Sequence, residues 1–294
     1  MGLRRMCSRL ASVALIILPL IFAQGCVTRP AVRSKISEVS AQTRFRQDSA
    51  TAPQVTAETA VTRSFPIGEY YEFSLKWVGI PVGTVSYSIC GETEVNGIQV
   101  YVVRIRAKTN KFASAVYSVD DVFTSYVDKE RLWPLRYDVN RKDGNYRKNA
   151  VTYFNHEEKI AYFENFVDGS KKTYPIPKGV LDPVSAILNA RTIDIRIGRD
   201  NVLYVANNEK VYEMHGAVEK REIINIRCLG DVEAYFMSPY AVLNGERFNK
   251  GRVRGYISAD NRRMLLYAEA KAPVFTVLTA TLTRTSPDAS GSSP

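Results

Sequence analysis

Histidine is scarce in this chain of 294 residues: there are two, His156 and His215. His156 precedes Glu157 and Glu158, but the residue four positions on is Ile160, so the paired histidines of a zinc-protease helix are missing. Cysteine is scarce too, four in all, none at the close spacing that zinc ligands show. No glycine-rich phosphate loop occurs, and no Gly-x-Ser-x-Gly elbow. No apolar run reaches the roughly 20 residues that a membrane-spanning helix needs. Two internal His could still serve a triad, each being expected in a hairpin or at the surface. The pattern calls for no metal and no cofactor.

What is present begins at the first residues. Arg4, Arg5 and Arg9 form a basic start, residues 10–22 are mostly apolar, and Ala23, Gln24 and Gly25 lead to Cys26. Charge, a short apolar stretch and small residues before a cut are the pattern of an export signal. The cysteine after Gly25 makes this one resemble a bacterial lipoprotein signal. Residues 1–25 are then the signal peptide and Cys26 the lipid anchor. Val27, rather than Asp, beside the anchor points to the outer membrane, facing the periplasm. The formal net charge is +10. A basic surface suits lipid headgroups or acidic glycans, and equally suits simple solvation; nucleic acid is not expected for an exported protein.

Residues 26–64 are rich in Ser, Thr, Ala, Gln and Arg without apolar periodicity and read as a disordered tether carrying the lipidated Cys26. Residues 285–294 read as a disordered tail. Between them, 65–284 read as one β-rich domain. Tyr101, Val103, Ile105 and Ala107 alternate with Arg104, Arg106 and Lys108, which gives one apolar and one cationic face. Similar runs cover 70–78, 82–90, 122–127, 135–139, 150–154, 159–166, 202–206, 210–214, 223–229, 233–237, 252–257, 265–270 and 274–282. Asn96-Gly97, Asp143-Gly144, Asp168-Gly169, Asn207-Asn208 and Asn244-Gly245 supply hairpin turns. Asp182 and Pro183 predict a helix to Arg191, and Asn110 predicts a second over 111–117. The fold class is therefore all-β: a strongly curved antiparallel sheet or open β-barrel of about a dozen strands with two short helices. A two-sheet sandwich is the competing architecture.

Candidate binding residues follow from residue type. Trp77, Tyr87, Tyr126, Trp133 and Tyr137 could line a cavity for an acyl chain, stack on sugars, or fill a β-core. Arg104, Arg106 and Lys108 form a cationic stripe that could be a solvated strand face or could meet lipid phosphates, with Arg141, Lys142, Arg147 and Lys148 nearby; Trp77, Tyr126 and Tyr137 are the aromatic candidates for binding. Cys90 and Cys228 could form a disulfide in an oxidising compartment, or remain thiols. Asp120, Asp121 and Asp128 are the carboxylates closest to a catalytic arrangement. On a regular strand, however, Asp120 and Asp121 point to opposite faces and make a poor acid–base pair.

An ordered set of short motifs carries a family resemblance over 65–272. It runs from Phe65-Pro66-Ile67-Gly68-Glu69-Tyr70 and Gly79-Ile80-Pro81-Val82-Gly83 to Tyr117-Ser118-Val119-Asp120-Asp121-Val122-Phe123 and Ser125-Tyr126-Val127-Asp128. Asp182-Pro183-Val184-Ser185-Ala186 with Arg191, and Ile257-Ser258-Ala259-Asp260-Asn261-Arg262-Arg263, complete it. The chain resembles the exported bacterial family known as domain of unknown function 3108. The resemblance implies a largely β envelope protein and no particular reaction. The expected function is that of a non-enzymatic envelope lipoprotein whose β-domain binds an amphiphile or an envelope glycan. The alternatives are a scaffold within an envelope protein assembly and a glycan hydrolase working through carboxylates.

Overall fold

The computed structural model describes residues 64–247, 252–272 and 276–286. The signal peptide, Cys26, nearly all of the tether, and the tail beyond residue 286 lie outside the described residues.

Among the described residues sixteen strands form one antiparallel sheet that curls without closing. The first eight are a meander: β1 (Tyr70–Trp77), β2 (Ile80–Val95), β3 (Ile98–Thr109), β4 (Asp120–Asp128), β5 (Pro134–Asp143), β6 (Tyr146–Asn155), β7 (Ile160–Asn165) and β8 (Lys171–Pro175). The rest are β9 (Asp200–Asn207), β10 (Lys210–Ile226), β11 (Gly230–Met237), β12 (Tyr240–Leu243), β13 (Glu246–Arg247), β14 (Arg252–Ser258), β15 (Leu265–Ala272) and β16 (Thr276–Thr285). β16 pairs with β1, which joins the two halves of the chain into one sheet rather than a two-sheet sandwich. The turns behave as their residues demand. Asn96, Gly97, Gly144, Gly169, Asn208, Asn244 and Gly245 all have positive φ.

Several elements differ from the expectation. The runs at 210–214 and 223–229 are parts of one strand, β10, whose first half pairs with β9 and whose second half pairs with β11. The polar residues in its middle sit where the strand passes from one partner to the other. β8 and β13 are short and polar, and β12 is apolar but only four residues long, so none shows enough alternation to be seen.

Curvature follows from one-sided burial. In β3, Val103, Ile105 and Ala107 are buried while Arg104, Arg106 and Lys108 are exposed. The apolar faces of β1 to β7 and β14 to β16 thus turn inward on one core. Among the described residues two helices interrupt the strands: α1 (Lys111–Val116), capped by Asn110, and α2 (Pro183–Ala190), capped by Asp182. α2 is buried along Pro183, Val184, Ser185, Ala186 and Leu188, and it packs against β3, β4 and β9 on the concave side. Its start is pinned by a capping box in which Asp182 Oδ1 accepts from the Val184 and Ser185 amides at 2.7 and 3.0 Å. Ser125 of β4 donates to the other Asp182 oxygen at 2.5 Å. The segment before α2 exchanges hydrogen bonds with β9 through Leu181, so the two ends of the sheet approach without completing a barrel.

Cys90 and Cys228 are unbridged and exposed, which corrects the disulfide reading. Cys90 looks outward from β2 beside Ser88. Cys228 sits in the β10–β11 turn, its Sγ 3.6 Å from the Leu282 carbonyl of β16, and β1 stands between β16 and β2.

Candidate functional site

The concave face holds a cleft of about 330 Å³, open to solvent on one side. Its walls are almost wholly apolar. β1 contributes Tyr71, Phe73 and Leu75, β2 Val85 and Tyr87, β3 Ile105 and Ala107, and α2 Ala186 and Ile187. β9 and β10 cover part of it with Leu203, Val205, Met214 and Val218.

The space exists because small residues stand side by side on adjacent strands. Gly255 pairs with Ala268, Ala268 with Ala280, and Ala280 with Leu75, and all four line the cleft. Directly opposed side chains lie roughly 5 Å apart, so three consecutive small residues leave a trough that larger ones would fill. Gly255 is forced to be small: a Cβ there would lie 2.6 Å from the Tyr267 carbonyl oxygen.

One end of the cleft is polar beneath the surface. Arg191, the C-cap of α2, donates from Nη1 and Nη2 to the two Glu69 oxygens, both at 2.7 Å, and from Nε to the Arg262 carbonyl at 2.8 Å. Tyr71 also donates to Glu69. Arg191 stands at the C-terminal end of α2, is 6% exposed, and ties that helix to the first residues of the domain. Tyr87 lines the same end. Its hydroxyl is buried and closes no hydrogen bond of adequate geometry, although Arg191 is near enough to act on it. Burial raises the phenol pKa of both tyrosines, so both remain neutral hydroxyls.

The carboxylates singled out by sequence do not assemble. Asp120 faces outward against Arg106, with contacts of 2.9 Å from Nε and Nη2, and this hydrogen bonding holds its pKa down. Asp121 is fully buried on the other face, where Arg141 Nε donates to it at 3.1 Å. Burial, then the neighbouring Asp143, pushes Asp121 up to about 6. Asp143 shares the same Arg141 and is raised chiefly by burial. Asp128 caps the turn that follows its strand by accepting from Glu130 and Arg131. Asp182 is raised to about 6 by burial, against the hydrogen bonds it accepts.

The predicted binding residues are spread over the molecule. Arg104, Arg106 and Lys108 lie on the outer face of β3. Tyr126 is half-buried under the Arg136 guanidinium at 5.1 Å. Trp77 is half-buried with an unpartnered Nε1. Tyr137 is buried in the other half of the concave face, beside Arg141 and Lys148. Of the five aromatics considered, Tyr87 is the one that lines the large cleft. His215 lines it too, held by Asp200 at 2.6 Å, while His156 is buried in its hairpin with Nε2 2.7 Å from the Pro134 carbonyl. Among the described residues no cluster of His, Cys, Asp and Glu is arranged to hold a metal ion, and no helix is long and apolar enough to cross a membrane.

Three solved structures align with much of the chain, one of them at a TM-score of 0.50. A β-barrel-like protein of the DUF1849 domain from Brucella abortus matches with a TM-score of 0.50 at 9% identity, over 74% of this chain and 97% of the other. A protein from Parabacteroides distasonis described as a candidate lipoprotein matches with a TM-score of 0.35 at 9% identity, over 76% and 98%. One from Bacteroides fragilis, described as a candidate exported protein with a YmcC-like fold, matches with a TM-score of 0.31 at 12% identity, over 76% and 97%. No curated protein matches the chain. The motifs spread along the curled sheet are those of one family: residues 72–283 match the model of the protein family of unknown function DUF3108, and the chain belongs to it.

Proposed function

We propose that this chain is a non-enzymatic lipoprotein of the cell envelope whose curved β-domain binds an amphiphile by its apolar chain. The observation that carries this reading is the cleft of about 330 Å³ with apolar walls and a trough made by Gly255, Ala268 and Ala280. That volume is at the lower end of the roughly 300–1,000 Å³ of ligand pockets, which suits a single chain. The near-absence of polar lining favours an amphiphile over a glycan, whose hydroxyls need partners. Residues 1–27 support attachment through Cys26 at the outer membrane, facing the periplasm. A body moored there would meet lipids and their precursors at the membrane surface.

Titration of the delipidated protein with decanol, a chain with an uncharged head, tests the reading. Saturable binding is expected, and Ala280→Phe should abolish it by filling the trough. An absence of binding, or binding indifferent to that substitution, would count against it. Docking of an envelope protein is a second reading, favoured by the exposed side chains of Phe112 and Val116 on α1 and of Val78 and Ile80 near the β1–β2 turn. A single dominant crosslinked protein in cells, with no bound amphiphile, would favour that reading instead.

A further inference from the structure

We infer that the amphiphile carries a terminal anion, a carboxylate or a phosphate, and that Arg263 receives it. The inference rests on the amphiphile reading and specifies its head.

The charge of the lining is one-sided. Arg191, Arg254, Arg263 and His215 line the cleft, and no aspartate or glutamate does. Three of these four side chains are each held by a carboxylate. Arg191 is held by Glu69, Arg254 by Glu269 at 3.0 Å, and His215 by Asp200. Among the described residues no carboxylate pairs with Arg263.

Arg263 is also placed with unused donors. Its Nη1 donates to the Ala259 carbonyl at 3.3 Å, and the guanidinium lies 5.1 Å from the Tyr235 ring centre. Its Nε is buried and has no partner. A guanidinium presents five N–H groups in a planar fork, matched to the two oxygens of a carboxylate or phosphate. A buried N–H left unpaired is unfavourable, and an anion arriving in the cleft would satisfy it.

The mount is stiff. Arg263 has a φ of 50°, in the left-handed region that an arginine seldom adopts. Ser258 and Asp260 enforce it. Ser258 Oγ donates to Asp260 Oδ1 at 2.6 Å and accepts from the Met264 amide at 2.8 Å, while Asp260 Oδ1 also accepts from the Arg262 amide at 3.1 Å. A turn so braced presents the side chain without further ordering on binding.

The experiment compares four ligands on the full, delipidated protein: decanoate, decyl phosphate, decanol and decyltrimethylammonium, with inorganic phosphate as a chainless control. Decanoate and decyl phosphate should bind more tightly than decanol, decyltrimethylammonium should bind most weakly, and inorganic phosphate should not bind measurably. Which of the two anions binds better tells a fatty acid from a phosphate-headed lipid. Arg263→Gln should weaken the anionic ligands roughly ten- to a hundred-fold, as expected for a charge-assisted hydrogen bond, and leave decanol unchanged. Arg263→Lys should recover part of the loss. Equal affinity for decanoate and decanol would overturn the inference while leaving the cleft a chain-binding site. So would an Arg263→Gln variant that weakens both alike. Failure of all four ligands to bind would instead remove the amphiphile reading itself.

Discussion

Replacing Ala280 by leucine asks whether the trough is real. Ala280 is 2% exposed and lies between Ala268 and Leu75 across the strands. Leucine adds three carbons, each contributing about 0.8 kcal/mol when buried, or about 2.4 kcal/mol before opposing terms. Ordering the new side chain opposes this by about 0.5–1 kcal/mol, leaving a stabilisation of about 1.5 kcal/mol. For a domain of this size that corresponds to a rise in Tm of roughly 3–6 °C. The same carbons occupy volume that a ligand chain would use. Decanol should therefore bind more weakly, roughly 30-fold if the chain loses about 2 kcal/mol of methylene contact. Thermal unfolding by circular dichroism and a decanol titration on the same preparation give both values, and they should move in opposite directions. Had the interior been fully packed, the substitution would overpack it and destabilise the fold by about 1–3 kcal/mol. A lowered Tm with unchanged binding would refute the reasoning.

Glu69→Gln leaves the buried Arg191 without its counter-charge and should destabilise the domain by about 3–5 kcal/mol, read from urea unfolding; a loss under 1 kcal/mol would show that the pair does not anchor α2. Asp182 has a carboxyl pKa of about 6 in the fold against 3.8 as the ordinary value. The native state therefore binds the extra proton, and stability falls as pH rises from about 4 through about 6, by on the order of 3 kcal/mol for this group. Asp182→Asn keeps a capping oxygen and should flatten that part of the profile; an unchanged slope would assign the dependence elsewhere. Cys90 and Cys228 should both react with a thiol reagent in the native protein, and replacing them together with serine should leave Tm within about 1 °C of the parent, as for surface substitutions; a bridged species on a non-reducing gel would contradict this.

Strand periodicity made most of the sheet legible. The alternation in β3 assigns its two faces correctly because a half-buried strand must alternate. Asn-Gly and Asp-Gly dipeptides mark the turns because positive φ is needed there, and Asp182-Pro183 marks α2 because capping is a local interaction. The cleft was not legible. A search for binding residues looks for large aromatics and charges, whereas this space is defined by Gly255, Ala268 and Ala280, which become neighbours only through the pairing of β14, β15 and β16. Leu266-x-Ala268-x-Ala270 and Leu278-x-Ala280-x-Leu282 do contain a signal, since alanine on the inward face of two successive strands is an unusual way to fill a core. The Glu69–Arg191 pair spans 122 residues of sequence, and no local pattern could join it. Arg263 is likewise ordinary in sequence. What distinguishes it is that Arg191, Arg254 and His215, which line the cleft with it, are each held by a carboxylate.

Folding places an apolar cleft of about 330 Å³ inside a sheet whose outer face carries Arg104, Arg106 and Lys108 on β3. On the proposed reading, this arrangement takes an acyl chain inward while the cationic exterior stays solvated. Native mass spectrometry of the full chain, purified from its own cells without added detergent, tests this most directly. A substantial fraction should carry one single-chain, anionic amphiphile, released by organic solvent and retained less well by Ala280→Phe. Protein that emerges free of any such mass, and takes up none when decanoate is added, would contradict the account.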